Sequence, residues 1–190
     1  MNIHQLSVTY HAEQDRILLR VNTTAGQEMR LWFTRRLMLG LWPMLSRALT
    51  EHLLRSETAA SSLEQADADL RQMLTEFRMD EFVQHADFDT PYQDQPALPL
   101  GEEPLLVTDV EAQPLENGQL RLNFNEQPAR AGRPPRSFQM EMESRLMQGL
   151  MHLLNQAVAQ SRWREPLEAQ ARDDRAGTDE AEGQRPRYLN

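Results

Sequence analysis

The chain has 190 residues, 39% of them apolar, and a formal net charge of −9 at pH 7, a size and composition that suit one sizeable domain or two small ones. It contains no cysteine, which excludes disulfide scaffolds, thiolate metal sites, iron–sulfur clusters and cysteine nucleophiles. All 20 basic residues are arginine, so a Schiff-base lysine, pyridoxal phosphate attachment and a P-loop lysine are excluded as well.

The N-terminal residues show neither the basic segment nor the apolar segment of a secretion signal, and no stretch reaches 18 uninterrupted apolar residues. We therefore expect a cytoplasmic protein without membrane contact. The acidic balance also disfavours a protein that covers nucleic acid with its whole surface.

Alternating apolar residues in the first third of the chain predict three antiparallel strands. They are Leu6, Val8 and Tyr10, then Ile17, Leu19 and Val21, then Met29, Leu31 and Phe33. A helix should follow from about Arg35 to Leu54, with the hydroxyl of Thr34 as its N-cap. Pro43 should kink this helix or make it restart.

The same order recurs in the second half of the chain. The predicted strands are Leu105 with Val107, then Leu120, Leu122 and Phe124, then Phe138, Met140 and Met142. In the helix that follows, residues 145–150 match residues 36–41 at an offset of 109 residues, which also relates the third strands. Because the same offset relates both a strand, with its period of two residues, and a helix, with its period of 3.6 residues, we infer a duplication of a three-strand, one-helix unit. The predicted fold class is therefore α+β with a pseudo-two-fold internal duplication.

The two units should share one core, because each helix is apolar around more of its circumference than one small sheet can cover. Gly40 and Gly149 lie at equivalent helical positions, and equivalent glycines inside helices indicate close approach of backbones, either helix on helix or helix on sheet.

We predict five segments, namely a first unit over 1–58, a connecting helix over 59–85, a linker over 86–104, a second unit over 105–163 and a disordered tail over 164–190. The connecting helix is acidic and amphipathic, with Ser61 and Glu64 as a capping box. Its apolar residues at helical spacing are Leu63, Ala66, Leu70, Met73, Leu74 and Phe77. The linker is rich in proline and should be extended.

Sites for chemistry are scarce in this sequence. His85, Asp87 and Asp89 could face one metal ion, but a helix end followed by a solvated loop is the interpretation we favour. We interpret His52 and His152 as packing residues on apolar helix faces, and no serine lies in a nucleophile-elbow context. We therefore predict no catalytic site, no metal and no cofactor.

The outward face of the first sheet is the candidate site. Strict alternation places Arg16, Leu18, Arg20, Arg30 and Trp32 on the side opposite the core. Arginine beside an exposed aromatic residue is typical of proteins that bind single-stranded nucleic acid. The arrangement of duplicated sheet-and-helix units also resembles that of Whirly-type single-strand binders, whose units have four strands.

Two other interpretations of this face remain open. Residues 1–55 carry a charge of +3 and residues 56–104 a charge of −10, so the acidic connecting helix and linker could cover it, with Trp32 and Leu18 beneath Phe77, Phe82 or Phe88. Alternatively, the face contacts another protein, since tryptophan and arginine are frequent interface anchors.

A second candidate surface is a set of methionines in the second unit, Met140, Met142, Met147 and Met151. They could form an adaptable peptide groove, although filling of the core is the interpretation we favour.

Taken together, these features predict a non-enzymatic cytosolic binding or assembly module that acts through protein contacts. The alternative is a single-stranded nucleic-acid-binding protein that uses the arginine and tryptophan face, and an enzyme comes third.

Overall fold

The computed structural model describes residues 2–56, 68–88, 90–127 and 134–165, and over this part of the chain the fold is α+β, as predicted. The elements in chain order are β1 (Ile3–His11), β2 (Arg16–Thr23), β3 (Glu28–Thr34), α1 (Arg35–Ser56), α2 (Ala68–His85), β4 (Leu105–Leu106), β5 (Asp109–Pro114), β6 (Leu120–Glu126), β7 (Arg136–Met142) and α3 (Ser144–Ser161). Three strands followed by a helix occur twice, whereas the duplication that we infer from this order stays a prediction.

The first sheet has the strand order β1-β2-β3-β4. β1, β2 and β3 form an antiparallel meander, and Ile17, Leu19 and Val21 on β2 are buried together with the inward residues of β3. β4 pairs parallel to β3, through Leu31 with Leu105. The prediction that Leu105 and Val107 begin the second sheet is therefore wrong, because these residues complete the edge of the first one.

The second sheet has the order β5-β6-β7 and is antiparallel throughout. Its first strand is β5, which sequence alternation missed because its inward side chains are only Val110 and Ala112, both partly buried. The β5–β6 turn contains Gly118 at φ 78°, a left-handed conformation that glycine adopts without steric cost.

One apolar core lies between the two sheets and helices α1 and α3. The rings of Phe33 on β3 and Phe124 on β6 meet edge to face at a centroid distance of 5.8 Å. The four methionines that could have formed a peptide groove, Met140, Met142, Met147 and Met151, are all buried in this core. They fill the core, as the favoured interpretation predicts.

Each long helix packs against the other unit's first strand. α3 lies on β1 and α1 lies on β5, and the two helices also contact each other. Trp163, just beyond α3, is buried, donates from Nε1 to a carboxylate oxygen of Asp15 at 2.5 Å and meets the ring of Tyr10 at 5.7 Å. Its carbonyl accepts a hydrogen bond from Arg35 at 2.8 Å. The end of the second unit is thereby fixed to the first sheet.

Local signals in α1 are borne out in part. The Oγ1 atom of Thr34 accepts the backbone N–H of Leu37 at 3.3 Å, which confirms the predicted cap. The helix continues through Pro43, so it does not restart there, and the alternative of a kink at Pro43 stays a prediction. A Cβ atom on Gly149 would lie 3.5 Å from the Phe82 ring, whereas one on Gly40 would meet nothing within 4 Å. The predicted close approach of backbones is therefore wrong for Gly40, and at Gly149 the neighbour is the Phe82 side chain at an ordinary contact distance, not a backbone.

The connecting helix is present as α2, which packs against α1 and α3. The predicted capping box and the residues Leu63 and Ala66 lie outside the described residues, as does Asp89. The predicted tail also lies outside them from residue 166 onward. At its far end the linker is held by Arg136, whose guanidinium donates to the carbonyls of Leu100 and Glu103 at 2.9 Å and to the carboxylate of Glu126.

Candidate functional site

The five residues of the predicted site do share the outward face of the first sheet. Arg20 lies opposite Arg30 and Leu18 lies opposite Trp32, while Arg16 is the first residue of β2. All five are partly buried, so neighbouring groups cover much of this face.

Residues 91–97 of the linker, which we call the strap, cover part of this face. The guanidinium of Arg20 lies 4.1 Å from the ring centroid of Tyr92 and forms an ion pair with Asp94. The strap then runs beside the start of β3, where Ala97 accepts the backbone N–H of Glu28 at 2.8 Å. An acidic residue of the strap therefore already occupies the position that a phosphate group would take on Arg20.

Two buried polar side chains of the sheet hold the strap. Glu28, whose side chain is 0% exposed, accepts Arg30 Nε at 2.6 Å, the hydroxyl of Tyr92 at 3.3 Å and the backbone N–H of Gln95 at 3.2 Å. Asn22 donates to the carbonyl of Gln93 at 2.9 Å. Each of the three donors to Glu28 offsets part of the desolvation cost of this buried side chain, so the network holds the strap against the sheet.

This network changes the acidity of Tyr92. Burial, followed by the charge of the Glu28 carboxylate, raises the pKa of Tyr92 well above its ordinary value of 10.0, against the opposing effect of Arg20. Tyr92 therefore stays a neutral hydrogen-bond donor at physiological pH.

The linker, and not the connecting helix, covers the part of the outward face that contains Arg20 and Arg30. Phe82 stacks edge to face with Phe88 at 6.2 Å, and Phe88 contacts the ring of His152 at 4.8 Å, which places both phenylalanines beside α3. Phe77 is 64% exposed. The expectation that one of these rings covers Trp32 and Leu18 is wrong, because the inner face of α2 is apolar enough to pack on α1 and α3 instead.

A different surface of α2 is strongly exposed. Leu70, Met73 and Phe77 are 45%, 66% and 64% exposed, and their spacing of three and four residues places them on one side of the helix. We call these three residues the outer stripe. Exposed apolar side chains that form such a contiguous row are typical of a contact surface.

The opposite side of α2 explains why the stripe points outward. Thr75 contacts the hydroxyl of Thr50 on α1 at 3.4 Å, Phe82 lies against Gly149, and the carbonyl of Arg78 accepts Gln148 of α3 at 3.3 Å. One side of α2 therefore faces the body of the protein, and the outer stripe lies on the other side.

A groove of about 1120 Å³ lies between α1, α2 and α3. Its walls mix arginines with carboxylates, and Arg164 stacks over the ring of Trp42 at 4.5 Å. Arg47 is paired with Glu51 at 2.7 Å. His152, also in the wall, lies 2.9 Å from the side-chain amide of Gln156. This mixture gives the groove no dominant charge that would select one class of ligand.

His85 and Asp87, for which we favour a solvated loop over a metal site, make local hydrogen bonds. His85 Nδ1 lies 2.7 Å from the carbonyl of Glu81, and Asp87 accepts both the backbone N–H and the hydroxyl of Thr90. Among the described residues no cluster of three histidine, aspartate or glutamate side chains could hold a metal ion.

Sequence reasoning missed the residues that hold the strap. Asn22 and Glu28 occupy outward positions at the strand ends, where alternation predicts solvent-facing polar side chains. Glu28 lies two residues from Arg30, which places both side chains on the same face of the strand. This spacing was the signal in the sequence that could have predicted their ion pair.

Comparisons with known proteins gave no assignment, since no family model, no curated protein and no solved structure matched the chain. The similarity in architecture to Whirly-type single-strand binders therefore stays a prediction. Within the described residues, none of the helices combines the length and the apolarity needed to cross a membrane.

Proposed function

We propose that the protein is a non-enzymatic binding module that acts through protein–protein contacts. The observation that supports this function is the outer stripe, which presents Met73 and Phe77 with about two thirds of their side-chain surface exposed. Methionine and phenylalanine are enriched in protein interfaces, where their burial supplies much of the binding energy. A cytoplasmic location is part of the proposal and rests on the sequence alone.

Binding of single-stranded nucleic acid is the alternative, and the geometry of the arginine face speaks against it. Phosphate would have to displace Asp94 from Arg20 and Glu28 from Arg30. Addition of an oligothymidylate at low salt should therefore produce no saturable quenching of tryptophan fluorescence. Salt-sensitive quenching that the double variant Arg20→Glu, Arg30→Glu abolishes would favour the alternative.

Site-specific photo-crosslinking in the producing cells tests the proposed function. A benzoylphenylalanine placed at Phe77 should give a discrete adduct with another protein upon irradiation. The matched control carries the same group at Leu39, an exposed apolar residue of α1 outside the stripe. Equal adducts at both positions, or none at Phe77, would contradict a protein contact through the stripe.

A further inference from the structure

The outer stripe has an acidic border. Asp69, Glu76 and Asp80 are all exposed, and spacings of seven and four residues place them along one side of the stripe. On the other side, Glu81 pairs with Arg78 at 2.8 Å. A partner that covers the apolar residues therefore brings its own flanking side chains next to three carboxylates.

We propose that the outer stripe binds a basic amphipathic helix of a partner protein, with apolar residues on Met73 and Phe77 and arginine or lysine beside Glu76 and Asp80. This inference rests on the proposed function and adds the chemistry of the partner. From Leu70 to Phe77 the stripe covers two helical turns, so a partner helix of about three turns suffices to span it and its acidic border.

Charge separates this partner from a second copy of the chain. The protein carries a net charge of −9, and in an antiparallel two-fold pair of α2 helices each acidic border would face its own copy. Asp69, Glu76 and Asp80 would then repel their counterparts across the interface. A basic helix meets the same carboxylates with opposite charge.

The composition of the C-terminal segment does not match such a basic helix. The last 25 residues of the chain contain more carboxylates than arginines, so they would add negative charge beside the acidic border. An anionic lipid surface is disfavoured by the same repulsion. The observations thus favour a separate, basic polypeptide.

Fluorescence anisotropy with synthetic peptides tests the proposal on the full chain. The probe is a labelled helix of about 18 residues with leucine on one face and arginine on the other, and its companion carries glutamate in place of every arginine. The leucine–arginine peptide should bind saturably and at least about tenfold more tightly than the leucine–glutamate peptide, a difference of about 1.4 kcal/mol.

Variants of α2 assign the binding to the stripe and its border. Met73→Gln with Phe77→Gln should weaken binding of the basic peptide about tenfold or more, because apolar anchors dominate such interfaces. Glu76→Gln with Asp80→Asn should weaken it severalfold at low salt and reduce its salt dependence. The control Leu39→Gln, on α1, should bind like the wild type.

The remaining outcomes overturn the proposal in distinguishable ways. If both peptides bind equally and the stripe variant abolishes both, the preference for a basic partner is wrong while the proposed function stands. If the basic peptide binds the stripe variant like the wild type, its attraction is unspecific and the proposal fails.

Stripe-dependent self-association in sedimentation, or stripe-dependent binding to anionic vesicles, would replace the partner helix by a second copy or by a membrane. Failure of the proposed function itself would appear as loss of the Phe77 crosslink.

Discussion

At the scale of single residues, the outward face of the first sheet is organised by a buried carboxylate. Glu28 connects Arg30 of its own strand with Tyr92 and Gln95 of the strap. A face that the sequence predicts to be basic is thus neutralised locally, and the linker becomes part of the folded structure.

Glu28→Gln should lower the free energy of unfolding by about 1.5–3 kcal/mol, because charge-assisted hydrogen bonds to a buried group are lost. Glu141→Gln is the matched control, since Glu141 pairs with Arg121 on the outward face of the second sheet but is 40% exposed. It should cost less than about 1 kcal/mol. Urea unfolding measures both values, and equal effects would contradict a special role of Glu28.

The raised pKa of Tyr92 predicts a loss of stability at alkaline pH. The unfolded chain releases the tyrosine proton near pH 10, while the folded protein retains it, so the unfolded state binds fewer protons and unfolding becomes easier as pH rises above 10. This contribution is fully present below pH 10 and is lost as the pH rises toward the folded-state pKa.

Urea unfolding at pH 9, 10 and 11 should therefore show a smaller alkaline decline for Tyr92→Phe than for the wild type. One such group accounts for at most about 1.4 kcal/mol per pH unit. The pKa of Tyr10 is also raised, first by burial, so part of the decline should persist in the variant. Identical pH profiles would show that Tyr92 is ionised as easily in the folded protein as in the unfolded chain.

At the scale of elements, the two units hold each other through their helices. α3 packs on β1 and α1 packs on β5. Trp163, just beyond α3, donates a hydrogen bond to Asp15 in the turn between β1 and β2. The core therefore includes contacts between the two units as well as contacts within each of them.

Trp163→Ala should lower the free energy of unfolding by about 3–5 kcal/mol, as truncation of a buried tryptophan does. Trp42→Ala provides the comparison, because the Trp42 ring lines the groove and is only partly buried. Trp42→Ala should lower the free energy of unfolding by about half as much as Trp163→Ala, or less. A small effect at Trp163 would contradict its role as the anchor between the units.

Six of the seven strands in the described part of the chain were predicted in outline, since clear alternation is a local signal, as is the helix cap at Thr34. Sequence reasoning misassigned Leu105 and Val107, because alternation shows that a strand is half buried and not which sheet it joins. It missed β5, whose inward residues are small or partly exposed. For the candidate site it identified the face and not its cover, since contacts between Glu28 and residues 92–95 arise only from the tertiary fold.

At the scale of the whole molecule, one core serves both sheets and should unfold as one unit. Residues 1–58 and residues 104–163, produced separately, should each lack a cooperative thermal transition, because each would expose the surface that the other unit's helix covers. Circular dichroism of each fragment, with residues 1–165 as the control, measures this. A cooperative transition in either fragment as a monomer would contradict the shared core.

One side of α2 packs on the fold, and we propose that its other side binds a partner. The most direct test is the free energy of unfolding of Met73→Gln with Phe77→Gln, compared with Phe82→Gln on the inner side of the same helix. We expect the stripe variant to stay within about 0.5 kcal/mol of the wild type, as surface substitutions do, and Phe82→Gln to lose about 1–3 kcal/mol. A loss of more than about 2 kcal/mol in the stripe variant would show that another part of the chain covers Met73 and Phe77, and would contradict the proposal that this surface is reserved for a partner.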